Sequence, residues 1–327
     1  MVEVASTAGA ARRRAGDTPI TVVMITLNEA HALEGALMSL QGWAAQVFIV
    51  DSFSRDATVD IALRYGAQIV QRQFAGFGDQ WNFALANLPI TTPWTMKLDP
   101  DERLTPALKR ELSKLIAEDA LDGIRVIRRL CFMGRPLGVR QVLLRAWRTG
   151  RCRFTEVSVN EHAVVDGNLA STRAEMEHHD SPDLEHWFDK QNRYSTSEAI
   201  AAYQQAPMAD APKLFGSSFQ RRMWLKKHFN RIPLRYSFFF LYTWLLQGAW
   251  RAGRVGWMWA RLRCDVQRMI DYKLNEIRLT GRIPGGHARG TGAPDPRVRQ
   301  YGGQSAVDAL DVVATATAGQ VLEPIIR

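Results

Sequence analysis

The stretch WTMKLDPDE, residues 94–102, is a short hydrophobic segment that ends in acidic residues, with Asp99 and Asp101 one residue apart. The stretch VFIVD, residues 47–51, is also apolar and also stops on an acid, Asp51. We therefore predict two buried parallel strands that release carboxylates into the crevice above an open α/β sheet. A divalent cation holding a phosphorylated ligand would use such a site, because hard cations take oxygen ligands. The alternative is that Asp99 and Asp101 only mark a strand exit, since Asp and Pro are common turn residues.

Strand and helix signals alternate along the chain. Apolar, β-branched runs predict strands, and apolar residues at helical spacing between them predict helices. This alternation is typical of a layered domain, so we predict an α/β fold with a mostly parallel sheet flanked by helices. Thr105 before Pro106 predicts a helix start with the threonine as its cap. The predicted strands are residues 20–26, 47–50, 67–70, 94–98, 123–132, 142–147 and 153–159, and the predicted polar helical stretch is residues 178–205.

Charge is spread unevenly along the 327 residues. Residues 213–263 contain eleven Lys or Arg and no Asp or Glu, so this segment is more basic than the whole chain, whose net charge is +9. A single basic block interleaved with aromatic residues indicates that this segment binds a local anionic surface and does not bind nucleic acid. The apolar run at residues 238–246 is bracketed by arginines and is shorter than the roughly 20 residues that span a bilayer. We expect an interfacial or re-entrant helix pair there, with a buried core helix as the alternative.

Composition and motif spacing exclude several other classes. Three widely spaced cysteines give neither a disulfide framework nor a zinc pattern, which fits a reducing, cytosolic environment. The histidines His162, His178 and His179 are therefore expected to be structural. No phosphate-binding P-loop motif and no dinucleotide-binding glycine motif occurs in the sequence. The expected organisation is a disordered lead-in that is not a secretory signal (1–17), a catalytic domain (18–205), an amphipathic helical membrane-associating region (206–283) and a flexible tail (284–327).

The order of three motifs carries a resemblance to a known family. TLNE at 26–29, VDSFSRDAT at 50–58 and LDPDE at 98–102 together resemble the inverting family 2 glycosyltransferases, which have the nucleotide-sugar-binding GT-A fold. Gln80 and Asn82 match the glutamine and asparagine that often precede the third motif in that family. Further segments are similar to the lipopolysaccharide core glucosyltransferase-like branch, and the likeness covers roughly residues 18–280. These segments are Arg145 with Thr149-Gly150, VNE at 159–161, His178-His179, and Lys190 with NRYS at 192–195.

The resemblance implies a nucleotide-sugar donor, a UDP-sugar by the chemistry of Asp51, because a carboxylate suits a uracil-type N–H donor. It implies that Asp101 binds Mg²⁺ or Mn²⁺ directly and that Asp99 contacts the ribose or a second metal position. The cation would neutralise charge on the departing diphosphate. The residues implied to line the donor site are Thr26, Asn28, Glu29, Asp51, Gln80 and Asp99.

Inversion by direct displacement needs one base to take the proton of the acceptor hydroxyl. Glu161 occupies the family's matching acid position, and Glu156 and Glu102 are the alternatives. Arg145 is predicted to hold a diphosphate or an acidic acceptor group, with a surface salt bridge as the competing interpretation.

The sequence thus predicts a cytoplasmic glycosyltransferase bound peripherally to the inner face of the cytoplasmic membrane. Its acceptor would be a lipid-linked glycan, either a lipopolysaccharide core or an undecaprenyl-linked saccharide. One alternative is a polymer- or protein-directed transferase whose C-terminal helices bind a partner subunit. Another is a non-catalytic homologue that only binds a nucleotide, and homo-oligomerisation is left open by the sequence.

Overall fold

An eight-stranded mixed sheet with the strand order β3-β2-β1-β4-β7-β6-β10-β5 forms the centre of the molecule. The protein is described by a computed structural model that covers residues 18–155, 162–205, 213–216, 220–221, 224, 228–229, 232–284 and 295–298. β3, β2, β1 and β4 run parallel, whereas β7 is antiparallel to both of its neighbours. The strands are β1 Thr18–Thr26, β2 Ala44–Asp51, β3 Gln68–Gln71, β4 Trp94–Lys97, β5 Glu102–Leu104, β6 Gly123–Phe132, β7 Arg135–Arg148, β8 Cys152–Phe154, β9 Ala163–Val165 and β10 Leu169–His179.

Helices cover both faces of the parallel strands, which explains why those strands are apolar throughout. Val22 of β1 belongs to the core cluster under α1, α2 and α4, and its neighbour Val23 belongs to the cluster under α3. The Thr105 hydroxyl accepts a hydrogen bond from Leu108 N at 3.2 Å, so the predicted cap of α4 is confirmed. The helices are α1 Ala30–Leu40, α2 Thr58–Arg64, α3 Phe77–Asn87, α4 Pro106–Ala117, α5 Leu184–Tyr203, α6 Arg235–Leu241 and α7 Arg254–Thr280.

The sheet differs from the sequence prediction at strand β10. His178 and His179 end strand β10 and do not begin a helix, so the predicted helical stretch 178–205 was wrong at its start; α5 begins at Leu184. β10 escaped prediction because its sequence, LASTRAEMEHH, is mostly polar, yet it lies between β6 and β5. The strand predicted at 153–159 corresponds to β8, and residues 156–159 lie outside the described ranges.

The C-terminal helices pack against the far end of this sheet. Trp187 of α5 and Trp259 of α7 lie in one buried cluster with Phe132 of β6. A π-helical turn (Tyr242–Leu246) and a short 3₁₀ turn (Ala249–Ala252) connect α6 to α7. Gly138 of β7 touches this connection so closely that a Cβ atom built on it would lie 2.2 Å from the Gly248 carbonyl oxygen.

No helix within the described ranges is both long and apolar enough to cross a bilayer. Part of the predicted tail packs on the sheet. Val298 is buried against the main core, and Asp295 N donates to Gln71 Oε1 at 2.6 Å. The domain boundaries given above stay predictions.

Candidate active site

Asp51, at the end of β2, is fully buried and is held by neutral hydrogen-bond donors. Thr26 Oγ1 donates to its Oδ1 at 2.8 Å, and Gln71 Nε2 donates to its Oδ2 at 2.9 Å. Ser54 donates to the same carboxylate from both its backbone N–H and its hydroxyl. A carboxylate has about four lone-pair sites, so this network occupies all of them. Because these partners fill the carboxylate and the side chain is fully buried, Asp51 orients the loops after β1 and β2, and its predicted contact with a nucleobase is left without structural support.

The loop after β1 is joined to the loop after β2 by hydrogen bonds. Asn28 adopts a left-handed backbone conformation, with φ of 56°, and its N–H donates to Ser54 Oγ at 2.8 Å. Glu29 N donates to Thr58 Oγ1 at 2.8 Å, and Asn28 Oδ1 accepts from Arg55 N at the same distance. The TLNE and VDSFSRDAT motifs thus fold as one unit, since each supplies the bonding partners that the other needs.

Gln80 lies beneath this unit. Its side chain is fully buried, its Nε2 donates to Ser52 Oγ at 3.2 Å, and its Oε1 accepts from Arg72 Nη1 at 2.9 Å. The structure therefore gives Gln80 a supporting position behind the end of β2.

Asp99 and Glu102 are tied to two arginines from the neighbouring strands. Arg145 Nη2 donates to Asp99 Oδ2 at 2.8 Å and also contacts Glu102 Oε1, which Arg128 Nη1 reaches at 3.0 Å. Burial raises the pKa of Asp99, but Arg145 and then Lys97 outweigh it, so this pKa lies below its ordinary value. The carboxylate of Asp99 is thus kept ionised by cations inside the fold.

Two sequence interpretations change at this cluster. The Arg145 side chain is only 4% exposed, so its ion pairs are buried and the surface salt bridge was the wrong interpretation. Its Nη2 bonds two protein carboxylates and the side chain is buried, which leaves the predicted contact with a diphosphate without structural support. Glu102 is fully buried against Arg145 and Arg128, so this alternative base cannot meet an acceptor hydroxyl.

Asp101 forms a second, separate cluster with residues of β10 and α5. Its Oδ2 lies 3.2 Å from His178 Nε2 and 3.1 Å from Lys190 Nζ, and Asp180 Oδ1 lies 3.2 Å from the same ammonium. Burial raises the pKa of Asp101, but His178 and then Lys190 outweigh it and bring it below its ordinary value. The backbone fixes this arrangement as well, because His179 N donates to Asp101 O at 2.7 Å.

This second cluster has the donor set of a divalent cation site. Ligand atoms of Asp101, His178 and Asp180 all lie within 4.8 Å of one another. Two carboxylates and an imidazole suit Mn²⁺ well and Mg²⁺ less well, because Mg²⁺ prefers oxygen ligands alone. Asp99, predicted as a metal contact, instead points its carboxylate at Arg145. Sequence reasoning missed His178 as a candidate ligand, since only the pairing of β10 with β5 brings it beside Asp101.

Glu29 lies near enough to both clusters for the charges of Asp101 and Asp99 to act on it. Burial, followed by the charge of Asp101, raises the pKa of its carboxyl to about 8. The raised pKa favours the protonated form of this carboxyl near neutral pH.

Glu161, the predicted base, lies outside the described residues, as do Glu156 and Asn160. The residues on either side of this gap are joined. Thr155 N donates to His162 O at 3.2 Å, and His162 N donates to Thr155 Oγ1 at 3.0 Å. The role of Glu161 stays a prediction.

Comparisons with known proteins agree with this architecture. The family profile described as Glycosyl transferase family 2 matches residues 21–167. The lipopolysaccharide core biosynthesis glycosyltransferase LpsC of Rhizobium meliloti (strain 1021) is 30% identical over 252 residues, which is 73% of this chain and 86% of that protein. An uncharacterized glycosyltransferase of Rickettsia bellii is 35% identical over 103 residues, 32% of this chain and 34% of that protein.

Among solved structures, S. aureus TarS 1-349 has 15% identity and a TM-score of 0.39, and the alignment covers 84% of this chain and 99% of that one. Sequence, sheet and motifs together define an α/β protein of the GT-A class. The chain belongs to glycosyl transferase family 2. The family and the fold class predicted from the sequence are thereby confirmed, and the chain is a glycosyltransferase.

Proposed function

We propose that this glycosyltransferase moves a sugar from a UDP-sugar to a lipid-linked saccharide, a lipopolysaccharide core or an undecaprenyl-linked glycan, at the inner face of the cytoplasmic membrane. One observation carries the donor half of the proposal. β1 pairs with β2 on one side and with β4 on the other, so Asp51 and the Asp99–Asp101 segment emerge at the same edge of the sheet. The loops that Asp51 orients and a candidate cation site for a diphosphate therefore lie at the same edge of the sheet.

The chemistry is a single displacement at the anomeric carbon. The oxygen of the acceptor hydroxyl forms the new bond to that carbon while the bond to the donor's diphosphate oxygen breaks. The nucleoside diphosphate leaves with the electron pair, and the hydroxyl proton passes to a base, which we assign to Glu161. Asp101, His178 and Asp180 would hold Mn²⁺ or Mg²⁺, which supplies charge neutralisation for the leaving diphosphate.

The acceptor half of the proposal rests on a relative and on a surface. LpsC is named for lipopolysaccharide core biosynthesis. α6 and the turns after it present an apolar rim, which we define as Phe238, Leu241, Leu245, Leu246 and Trp250, with side chains 46–80% exposed. Arg251 stacks on the Trp250 ring at 5.2 Å, so basic charge accompanies the rim. Apolar side chains beside arginines suit an anionic lipid surface, where each basic residue adds about 1 kcal/mol of attraction.

Calorimetric titration of UDP, and then GDP, with and without Mn²⁺ tests the donor half. We expect UDP binding that tightens at least tenfold with Mn²⁺, and we expect Asp101→Asn to lose this dependence. Asp166→Asn removes the same charge from a site that is 87% exposed and serves as the matched control. Preference for GDP would change the donor, and failure of both nucleotides would favour a non-catalytic homologue.

Sedimentation with vesicles tests the membrane half. Replacing Phe238 and Leu246 with serine should reduce binding to vesicles that contain phosphatidylglycerol by about tenfold, since two exposed apolar contacts of ~0.8 kcal/mol per buried CH₂ are lost. Met38→Ser on α1, where the side chain is 58% exposed, is the control. The basic residues Lys226, Lys227 and Arg231 lie outside the described ranges, and their charge reversal should release the protein in the same assay. Salt-independent association with a protein and none with vesicles would favour a partner subunit.

A further inference from the structure

The ammonium group of Lys190 occupies a ready-made cation position. Its Nζ lies 3.1 Å from Asp101 Oδ2, 3.2 Å from Asp180 Oδ1 and 3.0 Å from the Asp180 carbonyl oxygen. These three oxygens are hard ligands of the kind that a divalent cation also takes. Two of them belong to the carboxylates that, with His178, form the candidate metal cluster.

A metal ion and this ammonium cannot occupy the cluster independently. An ion bound to Asp101 Oδ2 at about 2.2 Å lies within about 5 Å of Nζ, since Nζ is 3.1 Å from that same oxygen. At this separation two cations repel strongly in a partly buried site. The Lys190 side chain is 20% exposed, so solvent provides a route along which the ammonium can leave the carboxylates.

We propose that Lys190 is a resident cation that neutralises Asp101 and Asp180 in the metal-free protein and is displaced when the divalent ion binds. The displaced ammonium then donates hydrogen bonds to the diphosphate of the nucleotide donor. This inference rests on the proposed function, because it assumes both the metal and the nucleotide. Lys190 is a positioning residue for the metal and a binding residue for the donor.

The position of α5 does not depend on Lys190. Asp183 caps the helix by accepting from His186 N at 2.8 Å, and Trp187 is buried against Phe132 and Trp259. Lys273 of α7 holds the middle of the helix, with its Nζ 2.6 Å from Asn192 Oδ1. Removal of the Lys190 ammonium should therefore leave the fold in place, which makes the substitution a usable test.

The proposal predicts two affinity changes of opposite sign. Lys190→Met keeps the length of the side chain and removes its charge, so the variant should bind Mn²⁺ alone at least tenfold more tightly than the wild-type protein. At saturating Mn²⁺ the same variant should bind UDP at least threefold more weakly, because the diphosphate has lost a donor. A side chain that only anchors α5 would change both affinities in the same direction or neither.

The experiment is calorimetric titration of Mn²⁺, and then of UDP with Mn²⁺ present, into four full-length proteins whose folding is checked by thermal melting. The proteins are the wild type, Lys190→Met, Asp101→Asn and Lys273→Met. Lys273→Met is the matched control, since it removes another lysine that ties α5 in place but lies apart from the carboxylates. It should leave the Mn²⁺ affinity within twofold of the wild-type value.

Each outcome separates this inference from the donor site itself. If Asp101→Asn abolishes Mn²⁺ binding but Lys190→Met does not tighten it, the metal site stands and the resident cation is refuted. An equal gain in Lys273→Met would also refute it, because loosening of α5 would then explain the effect. If none of the four proteins binds Mn²⁺, both the inference and the metal-dependent form of the proposed function fail.

Discussion

Two carboxylate sites lie at one edge of the same sheet, and they are stabilised in different ways. Asp51 accepts all of its hydrogen bonds from neutral hydroxyl, amide and backbone groups. Asp101 is held by Lys190 and His178, and Asp99 by Arg145. The neutral hydrogen bonds fix the orientation of the Asp51 carboxylate, whereas the ion pairs balance the negative charges of Asp99 and Asp101.

The difference indicates what each site is able to do. A neutral network that fills the carboxylate changes little when a ligand arrives, which suits a support that holds the surrounding loops in one conformation. An ion-paired cluster can exchange one cation for another at little cost in local charge, which suits a site where a metal and a diphosphate come and go. The following predictions test whether the two sites are as separate as this comparison requires.

The largest effect is expected at the buried arginine. Arg145→Met removes the buried cation that the buried Glu102 shares with the half-buried Asp99, leaves Arg128 to balance both carboxylates, and should lower the free energy of unfolding by about 3 kcal/mol. Urea unfolding measures this directly. Arg153→Met removes an arginine whose pair with Asp166 is exposed, and it should cost less than about 1 kcal/mol. If the two variants lose equal free energies of unfolding, the ion pairs of Arg145 do not stabilise the fold more than an exposed pair does.

Asp51→Asn should separate the two sites. The new amide group would face the N–H donors of Ser54 and Gln71, so we expect a loss of about 1–3 kcal/mol in stability. UDP affinity should fall by about tenfold, whereas the Mn²⁺ affinity measured without nucleotide should stay within twofold. A parallel loss of Mn²⁺ affinity would mean that the two carboxylate sites are coupled.

Gln71→Leu removes one donor from Asp51 and the acceptor of Asp295 N. The side chain is buried and leucine has a similar volume, so we expect a cost of about 1 kcal/mol in thermal unfolding. UDP affinity should fall less than in Asp51→Asn, since three of the four bonds to the carboxylate persist. If Gln71→Leu loses more UDP affinity than Asp51→Asn, the 295–298 segment, rather than Asp51, is the main determinant of UDP binding.

The smallest effect concerns pH. Because the pKa of Glu29 is raised to about 8, its stabilising contribution is complete below the ordinary carboxyl pKa and is lost as the pH rises through 8. The free energy of unfolding should therefore fall by at most about 1 kcal/mol more between pH 7 and 9 in the wild type than in Glu29→Gln. If the pH profiles of the wild type and Glu29→Gln are parallel, the raised pKa does not belong to Glu29.

The sequence predicted the parts of the fold that depend on local pattern. β1, β2 and β4 are short apolar runs buried on both faces, and α4 carries its cap and proline in adjacent positions. β10 was missed because a strand whose neighbours supply the pairing needs little apolar character of its own. Its polar residues are instead paired with the polar residues of β6, for example Glu175 with Arg129.

The candidate site was predictable only in its linear motifs. Asp51 and Asp101 stand at strand ends that the pattern of apolar residues reveals. The approach of His178 and Lys190 to Asp101 spans 77 and 89 residues of sequence and follows from the strand order, which no local signal encodes. The burial of Arg145 could not be predicted for the same reason, because its partners are Asp99, which follows β4, and Glu102, which lies on β5.

The glycine contact between β7 and the turn before α7 has a mechanical consequence. Gly138 meets Gly248 backbone to backbone, and a Cβ atom on Gly256 would lie 1.7 Å from the Ala249 carbonyl oxygen. No side chain lies between the two backbones at these contacts, so strand β7 and the turn that carries part of the apolar rim are joined directly. Under the proposed function, this contact would fix the distance between the rim and the crevice. An acceptor anchored at the rim would then be selected by the length between its lipid anchor and its accepting sugar.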